Sequence, residues 1–215
     1  ERTRAFGAEV VLYDRYTEDR VAIGGAIAAE RGSTVVPPFE DTHIVAGQGT
    51  LGLEALEQAQ ALGFAPDAFL VCCGGGGLTA GCALAAEAVS PGTVVHPCEP
   101  AEFDDMARSL ELGHRVANAP GKRSICDAIV TDIPGEFTFS INQPRVGKGL
   151  RVTDDEVLAA IAFAVRELKL VVEPGGAAAL AALLHGRVDT RGRTTLVVAT
   201  GGNIDPAILA RAIGV

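Results

Sequence analysis

Four consecutive glycines, Gly74-Gly75-Gly76-Gly77, follow the apolar run Leu70-Val71-Cys72-Cys73 and lead into Leu78-Thr79-Ala80-Gly81. Glycine loses more backbone entropy on folding than any other residue, so four in a row persist where side chains would obstruct something. A strand that enters a glycine loop and leaves as a helix presents bare N–H groups and the positive end of a helix dipole. That is an anion cradle, most often for phosphate. A dinucleotide site is a rival reading. Gly75 to Ala80 satisfies a permissive G-x-G-x-x-A pattern, with Glu99 downstream at a distance suited to a ribose hydroxyl. A purely structural tight turn is a third reading. No G-x-x-x-x-G-K-[ST] is present, so a P-loop is excluded.

Other residues with chemical potential are scattered. Glu99, Asp104 and Asp105 form an acidic cluster in CEPAEFDDM, which reads by itself as a solvated helix start, where acids are favourable. Glu173 is the one acid in the apolar stretch before Pro174-Gly175-Gly176. Thr200-Gly201-Gly202-Asn203 is a second glycine cluster, and an ordinary Ser/Thr turn would account for Thr200. The cysteines at 72, 73, 82, 98 and 126 are odd in number and include no C-x-x-C pair. They read as buried reduced thiols of a cytoplasmic protein. The histidines (43, 96, 114, 185) show neither ligand nor triad spacing.

Elements that could position these residues alternate along the chain. A β-rich run spans 7–13, and Thr17 is placed to cap a helix reaching Arg31, with Gly32 as its stop. A short strand at 34–36 ends at Pro37-Pro38, which marks a domain boundary. The 1–36 piece reads as the tail of a small domain and 37–215 as a large one. Helices are expected at 48–62, 78–89, 104–112, 136–141, 154–169, 176–184 and after Asn203. Strands are expected at 68–73, 93–96 and 194–199, with 170–172 extended. Thr153-Asp154-Asp155-Glu156 is a capping box. This alternation is the pattern of an α/β fold, a mainly parallel sheet with helices on both faces. Ligands of such sheets sit at the carboxyl ends of strands, where both glycine clusters fall.

The formal charge of −9 argues against nucleic acid or an anionic membrane as the main partner. No apolar run is long enough to span a bilayer, and no secretory signal is visible. The chain opens Glu1-Arg2-Thr3-Arg4 and its single methionine is Met106, so an N-terminal part is expected to be missing.

Several segments together resemble the fold type II pyridoxal-phosphate (PLP) enzymes, whose fold is like tryptophan synthase β. Within these, the likeness is to threonine/serine dehydratases and serine racemases. The segments are AFGAEVVLY (5–13), IVAGQGT (44–50) followed by Glu54, GGGGLTAG (74–81), VVEPGGAAA (171–179) and TGGNID (200–205). The resemblance covers essentially the whole chain. It implies that Gly74, Gly75, Gly76, Gly77 and Leu78 hold the PLP phosphate through their amides. It also implies that Thr200 bonds the pyridine nitrogen and that Glu173 lies near the pyridine edge. A neutral hydroxyl at that nitrogen makes a weaker electron sink than a carboxylate would, which suits β-elimination. Asp127 matches a segment beside the cofactor in which Ala128 replaces the usual glycine.

The resemblance further implies a divalent-cation site (Mg²⁺, Mn²⁺ or Ca²⁺) at Glu99, the Phe103 carbonyl and Asp105. Such an ion would order the 99–105 segment. The expected activity is dehydration and deamination of a small β-hydroxy amino acid such as threonine or serine to a 2-oxo acid and ammonia. A serine or aspartate racemase and a hydroxyaspartate dehydratase are alternatives within the family. A catalytically incomplete fragment and a nicotinamide-dependent oxidoreductase are alternatives outside it. The Schiff-base lysine is expected upstream of Glu1, because Lys122, Lys148 and Lys169 lie in no matching motif. A homodimer is expected by family analogy.

Overall fold

The computed structural model describes residues 1–14 and 17–214. Its contacts divide the chain into two compact units, Glu1–Pro37 and Pro38–Val215.

The first unit contains helix α1 (Arg2–Ala5) and helix α2 (Arg20–Arg31). The Asp19 carboxylate accepts the Val21 and Ala22 amides, and Gly32 closes the helix in the left-handed region at φ 63°. The helix therefore starts at this stronger cap and not at Thr17. Neither 7–13 nor 34–36 is a strand. A β-rich run needs a partner ladder for its backbone groups. Among the described residues none pairs with these two segments, and Leu12 and Val36 lie 80% and 75% exposed.

The second unit begins with helix α3 (Thr42–Ala61), followed by strand β1 (Ala68–Cys72), helix α4 (Gly77–Val89), strand β2 (Val94–Pro100) and helix α5 (Asp105–Leu112). A 3₁₀ turn at Asp127–Ile129 leads to helix α6 (Glu136–Asn142), strand β3 (Leu150–Val152) and helix α7 (Asp154–Phe163). Helix α8 (Pro174–Leu184), strand β4 (Thr195–Val197) and helix α9 (Pro206–Ile213) complete it. The sheet order is β3-β2-β1-β4 and every pairing is parallel. Central β1 is buried at every residue, as a strand covered on both faces must be.

Two local choices set the architecture. Helix α3 starts at Thr42, where Asp41 accepts the His43 and Ile44 amides, and it runs straight through Gly47, Gly49 and Gly52. Gly49 and Gly52 permit a close crossing with α4, where a Cβ on Gly52 would lie 2.9 Å from Cys82 Cα. A Cβ on Gly81 would collide with the Gly49 nitrogen. Packing thus overrides the low helix propensity of glycine. At the other end, the capping box of Thr153 and Glu156 is fully formed at the start of α7. This helix loosens into a π turn at Ala164–Leu168, which Lys169 ends at φ 60°. Residues 170–172 join no ladder. Strand β3 lies in a stretch to which the sequence assigns no element, and three residues are too few to show a period. No helix among the described residues is long and apolar enough to cross a membrane.

Candidate phosphate and cofactor site

Strand β1 carries the chain to the glycine loop. The Cys73 amide donates to the Cys98 carbonyl at 2.9 Å and prolongs the β1–β2 ladder by one step. Gly76 then adopts φ 91°, a left-handed conformation natural to glycine, and caps α4 without any side chain. The amides of Gly74, Gly75, Gly76, Gly77 and Leu78 have no acceptor among the described residues. The first amide that bonds back is that of Ala80, to the Gly76 carbonyl at 2.9 Å. The Thr79 amide also has no acceptor among the described residues, so six consecutive free donors, the five of 74–78 among them, form at a helix N-terminus the cradle that the sequence suggests.

The loop carbonyls, by contrast, are engaged. The Gly75 carbonyl accepts from the Thr138 hydroxyl at 2.5 Å and from the Gly135 amide at 3.2 Å. The Gly76 carbonyl accepts from Asn142 Nδ2 at 3.0 Å. Both side chains come from one face of α6, four residues apart. Glu40 fixes that helix by accepting the Phe137 and Thr138 amides at 3.0 and 3.1 Å. The neighbouring Phe39 ring covers the loop, since a Cβ on Gly75 would collide with it. The sequence reading missed Glu40, Thr138 and Asn142. The one signal available was a Thr and an Asn at helical spacing around the apolar Phe139.

The second glycine cluster lies at the carboxyl end of β4, beside β1. The Val198 amide donates to the Leu70 carbonyl at 3.0 Å, and Thr200 follows two residues later. The Thr200 hydroxyl bonds to nothing among the described residues, so it does not act as a turn-forming Ser/Thr. Glu173 meets this segment twice: its amide donates to the Gly201 carbonyl at 2.9 Å, and its carboxylate accepts the Asn203 amide at 3.1 Å. The 3₁₀ turn joins the two clusters. Ile129 Cα would lie 3.1 Å from a Cβ on Gly74, and Ala128 Cβ 3.3 Å from one on Gly175. Asp127 itself is exposed. Gly74 and Gly175 thus share a neighbour in this turn, while Glu173 and Thr200 meet through Gly201.

The acidic cluster is arranged differently from the expectation. Glu99 is fully buried, and its two oxygens accept the Met106 and Ala107 amides at 2.9 and 2.8 Å. It caps α5 from within β2. Burial, and after it the nearby Asp105 charge, pushes its carboxyl well above the usual range. Asp105 accepts from Asn118 Nδ2 and the Thr131 hydroxyl, and burial raises its pKa to about 6. Burial also works to raise Asp104, but Arg108 and Arg151 outweigh it and hold that carboxyl below its usual range. Phe103 lies in the turn between β2 and α5, its amide on the Pro100 carbonyl. Both carboxylates of the expected cation set therefore already have donors from the chain. Among the described residues no group of three His, Cys, Asp or Glu side chains gathers as a metal site. The arrangement gives no support to a cation at Glu99, Phe103 and Asp105. The dinucleotide reading fails on the same residue, because a Glu99 buried beneath α5 cannot meet a ribose.

The residues fit PLP at the phosphate end. Five free amides suit a dianion, and the glycines leave the space that any Cβ would fill. The family described as "Pyridoxal-phosphate dependent enzyme" matches residues 1–201. An L-threo-3-hydroxyaspartate ammonia-lyase of Pseudomonas sp. is 38% identical over 203 residues, covering 94% of this chain and 62% of that protein. The serine racemase of Schizosaccharomyces pombe is 34% identical over 203 residues, covering 94% of this chain and 61% of that protein. A solved threonine deaminase from T.th. matches with a TM-score of 0.87 at 41% identity, covering 94% of this chain and 65% of that one. The chain thus spans less than two thirds of each relative. On the strength of the match over 1–201, this chain belongs to the pyridoxal-phosphate dependent enzyme family.

Proposed function

We propose that this chain holds the cofactor in a PLP-dependent lyase that removes the β-hydroxyl and the amino group of a small β-hydroxy amino acid. Threonine and serine are the first candidates, and 2-oxo acid and ammonia the products. The observation that carries the reading is the row of five free amides at the start of α4, with the unbonded Thr200 hydroxyl at the neighbouring strand end. PLP, when bound, supplies an electron sink for the pair left behind when the Cα proton leaves.

The chain's own part is binding and orientation. Amides 74–78 take the phosphate, and the α4 dipole adds to the attraction. The Thr200 hydroxyl meets the ring nitrogen as a neutral partner, and Glu173, tied to Asn203, stands beside it. Two of the three relatives above are named as ammonia-lyase or deaminase, which favours elimination over racemisation. A 3-hydroxyaspartate substrate fits the same chemistry. Five buried free cysteines suit a reducing, cytoplasmic setting. A divalent cation is not part of this reading.

None of the three lysines is offered as the Schiff-base residue. Lys122 pairs with Glu102, Lys169 donates to the Arg166 carbonyl, and Lys148 is exposed at the surface. The test is to load the complete gene product with PLP and offer L-threonine, L-serine and L-threo-3-hydroxyaspartate. Release of 2-oxo acid is expected from at least one. Racemised serine without 2-oxo acid would overturn elimination. After borohydride reduction, a PLP adduct on Lys122, Lys148 or Lys169 would overturn the assignment of the site.

A further inference from the structure

The peptide plane explains how the cup is aimed. In a trans peptide the carbonyl of one residue and the amide of the next point in opposite directions. The chain has no cis peptide among the described residues. Pinning the Gly75 carbonyl to the Thr138 hydroxyl therefore turns the Gly76 amide the other way. The Gly76 carbonyl takes both the Ala80 amide of α4 and Asn142 Nδ2, which together turn the Gly77 amide the other way.

Asn142 is an unexpected side chain for its place. It is completely buried, beside the same Gly76 position that Met106 approaches, and its Oδ1 has no partner among the described residues. An unpaired buried amide oxygen is destabilising, and a leucine there would carry no such penalty. Stability therefore does not account for the residue, whereas the donor it aims at Gly76 does. The helix that carries it is fixed from elsewhere in the chain by Glu40, and Gly135 adds its amide to the same Gly75 carbonyl.

We propose that Thr138 and Asn142 are positioning residues for the phosphate. They draw the carbonyls of Gly75 and Gly76 onto α6 and so keep the amides of the loop turned toward the ligand. The proposal rests on the reading of the glycine loop as the phosphate holder, and the experiment separates the two.

Equilibrium dialysis measures the affinity of the chain for PLP and for pyridoxal, which lacks the phosphate. Wild type is expected to prefer PLP. Asn142→Leu and Thr138→Val should each weaken PLP by about tenfold and leave pyridoxal unchanged. Thr138→Ser, which keeps the hydroxyl, should restore the preference. Asn142→Leu should melt at or above the wild-type temperature. Folded variants that bind PLP like wild type would overturn the proposal, and so would an equal loss for both ligands, which is the mark of a merely structural role. Should Asn142→Leu fail to fold, the comparison of Thr138→Val with Thr138→Ser decides by itself. A wild-type chain with no preference for PLP would overturn the phosphate reading, and this proposal with it.

Discussion

Gly176 and Thr200 meet backbone to backbone: a Cβ built on Gly176 would overlap the Thr200 carbonyl oxygen. The Thr200 amide also reaches the Gly176 carbonyl at 3.4 Å. The contact joins the first turn of α8 to the loop after β4, and both partners are main chain. Neither can rotate away as a side chain would. Gly176→Ala should therefore cost about 3 kcal/mol or more, read as a fall in urea midpoint at unchanged slope. A loss below about 1 kcal/mol would mean that the two loops are not packed this way.

Gly76 is sensitive for a different reason. Its φ of 91° disfavours any Cβ, which would also meet Met106 Cε at 2.7 Å and Asn142 Nδ2 at 2.9 Å. Gly76→Ala should lose about 1–2 kcal/mol from backbone conformation alone and bind PLP at least about tenfold more weakly. Gly92 is the control, with nothing among the described residues within 4 Å of its Cβ position and no positive φ. Gly92→Ala should stay within about 0.5 kcal/mol of wild type and keep its PLP affinity. Equal behaviour of the two variants would remove the special status of the loop.

Local signals carried furthest in the sequence. The capping box at Thr153, the stop at Gly32 and the strand–glycine–helix run at 68–89 rest on short-range chemistry, and the structure places them where that chemistry points. Pairing partners are what one sequence hides. The β-rich run at 7–13 lacks a ladder, and β3 is too short to show a period. The polar supports of the glycine loop were hidden for the same reason. Glu40 and Thr138 lie 98 positions apart, and no spacing rule links them. At Glu99 the cluster by itself reads as a solvated helix start, and only the family resemblance implies a cation there. Only the fold reveals that its oxygens already hold two amides.

The thiols provide a test of the core. Cys72, Cys82 and Cys126 are buried, and burial is the chief cause that raises each from 9.0 to about 12. Below pH 9 the thiols are protonated in both folded and unfolded chains and contribute no pH dependence. Between about 9 and 12 the unfolded chain releases protons that the folded chain retains, so stability falls as pH rises. The slope is at most about 1.4 kcal/mol per pH unit for each thiol. Replacing Cys82 by Ala should flatten part of this alkaline loss in pH-dependent denaturant titrations. A thiol reagent at pH 8 should find all five cysteines unreactive until denaturant is added. Rapid labelling of the native chain would contradict their burial.

Thr200 permits a separation of folding from binding that few site residues offer. Because its hydroxyl has no partner among the described residues, Thr200→Val removes no internal hydrogen bond and keeps the side-chain shape. Folding stability should change by less than about 0.5 kcal/mol. A hydroxyl that holds the ring nitrogen is worth about one net hydrogen bond, roughly 0.5–1.5 kcal/mol. PLP should then bind up to about tenfold more weakly to the variant, and the holoprotein absorption band should shift. Thr200→Ser should preserve both. Unchanged affinity and spectrum in Thr200→Val would take the hydroxyl out of the cofactor site and leave the glycine loop as its only anchor in this chain.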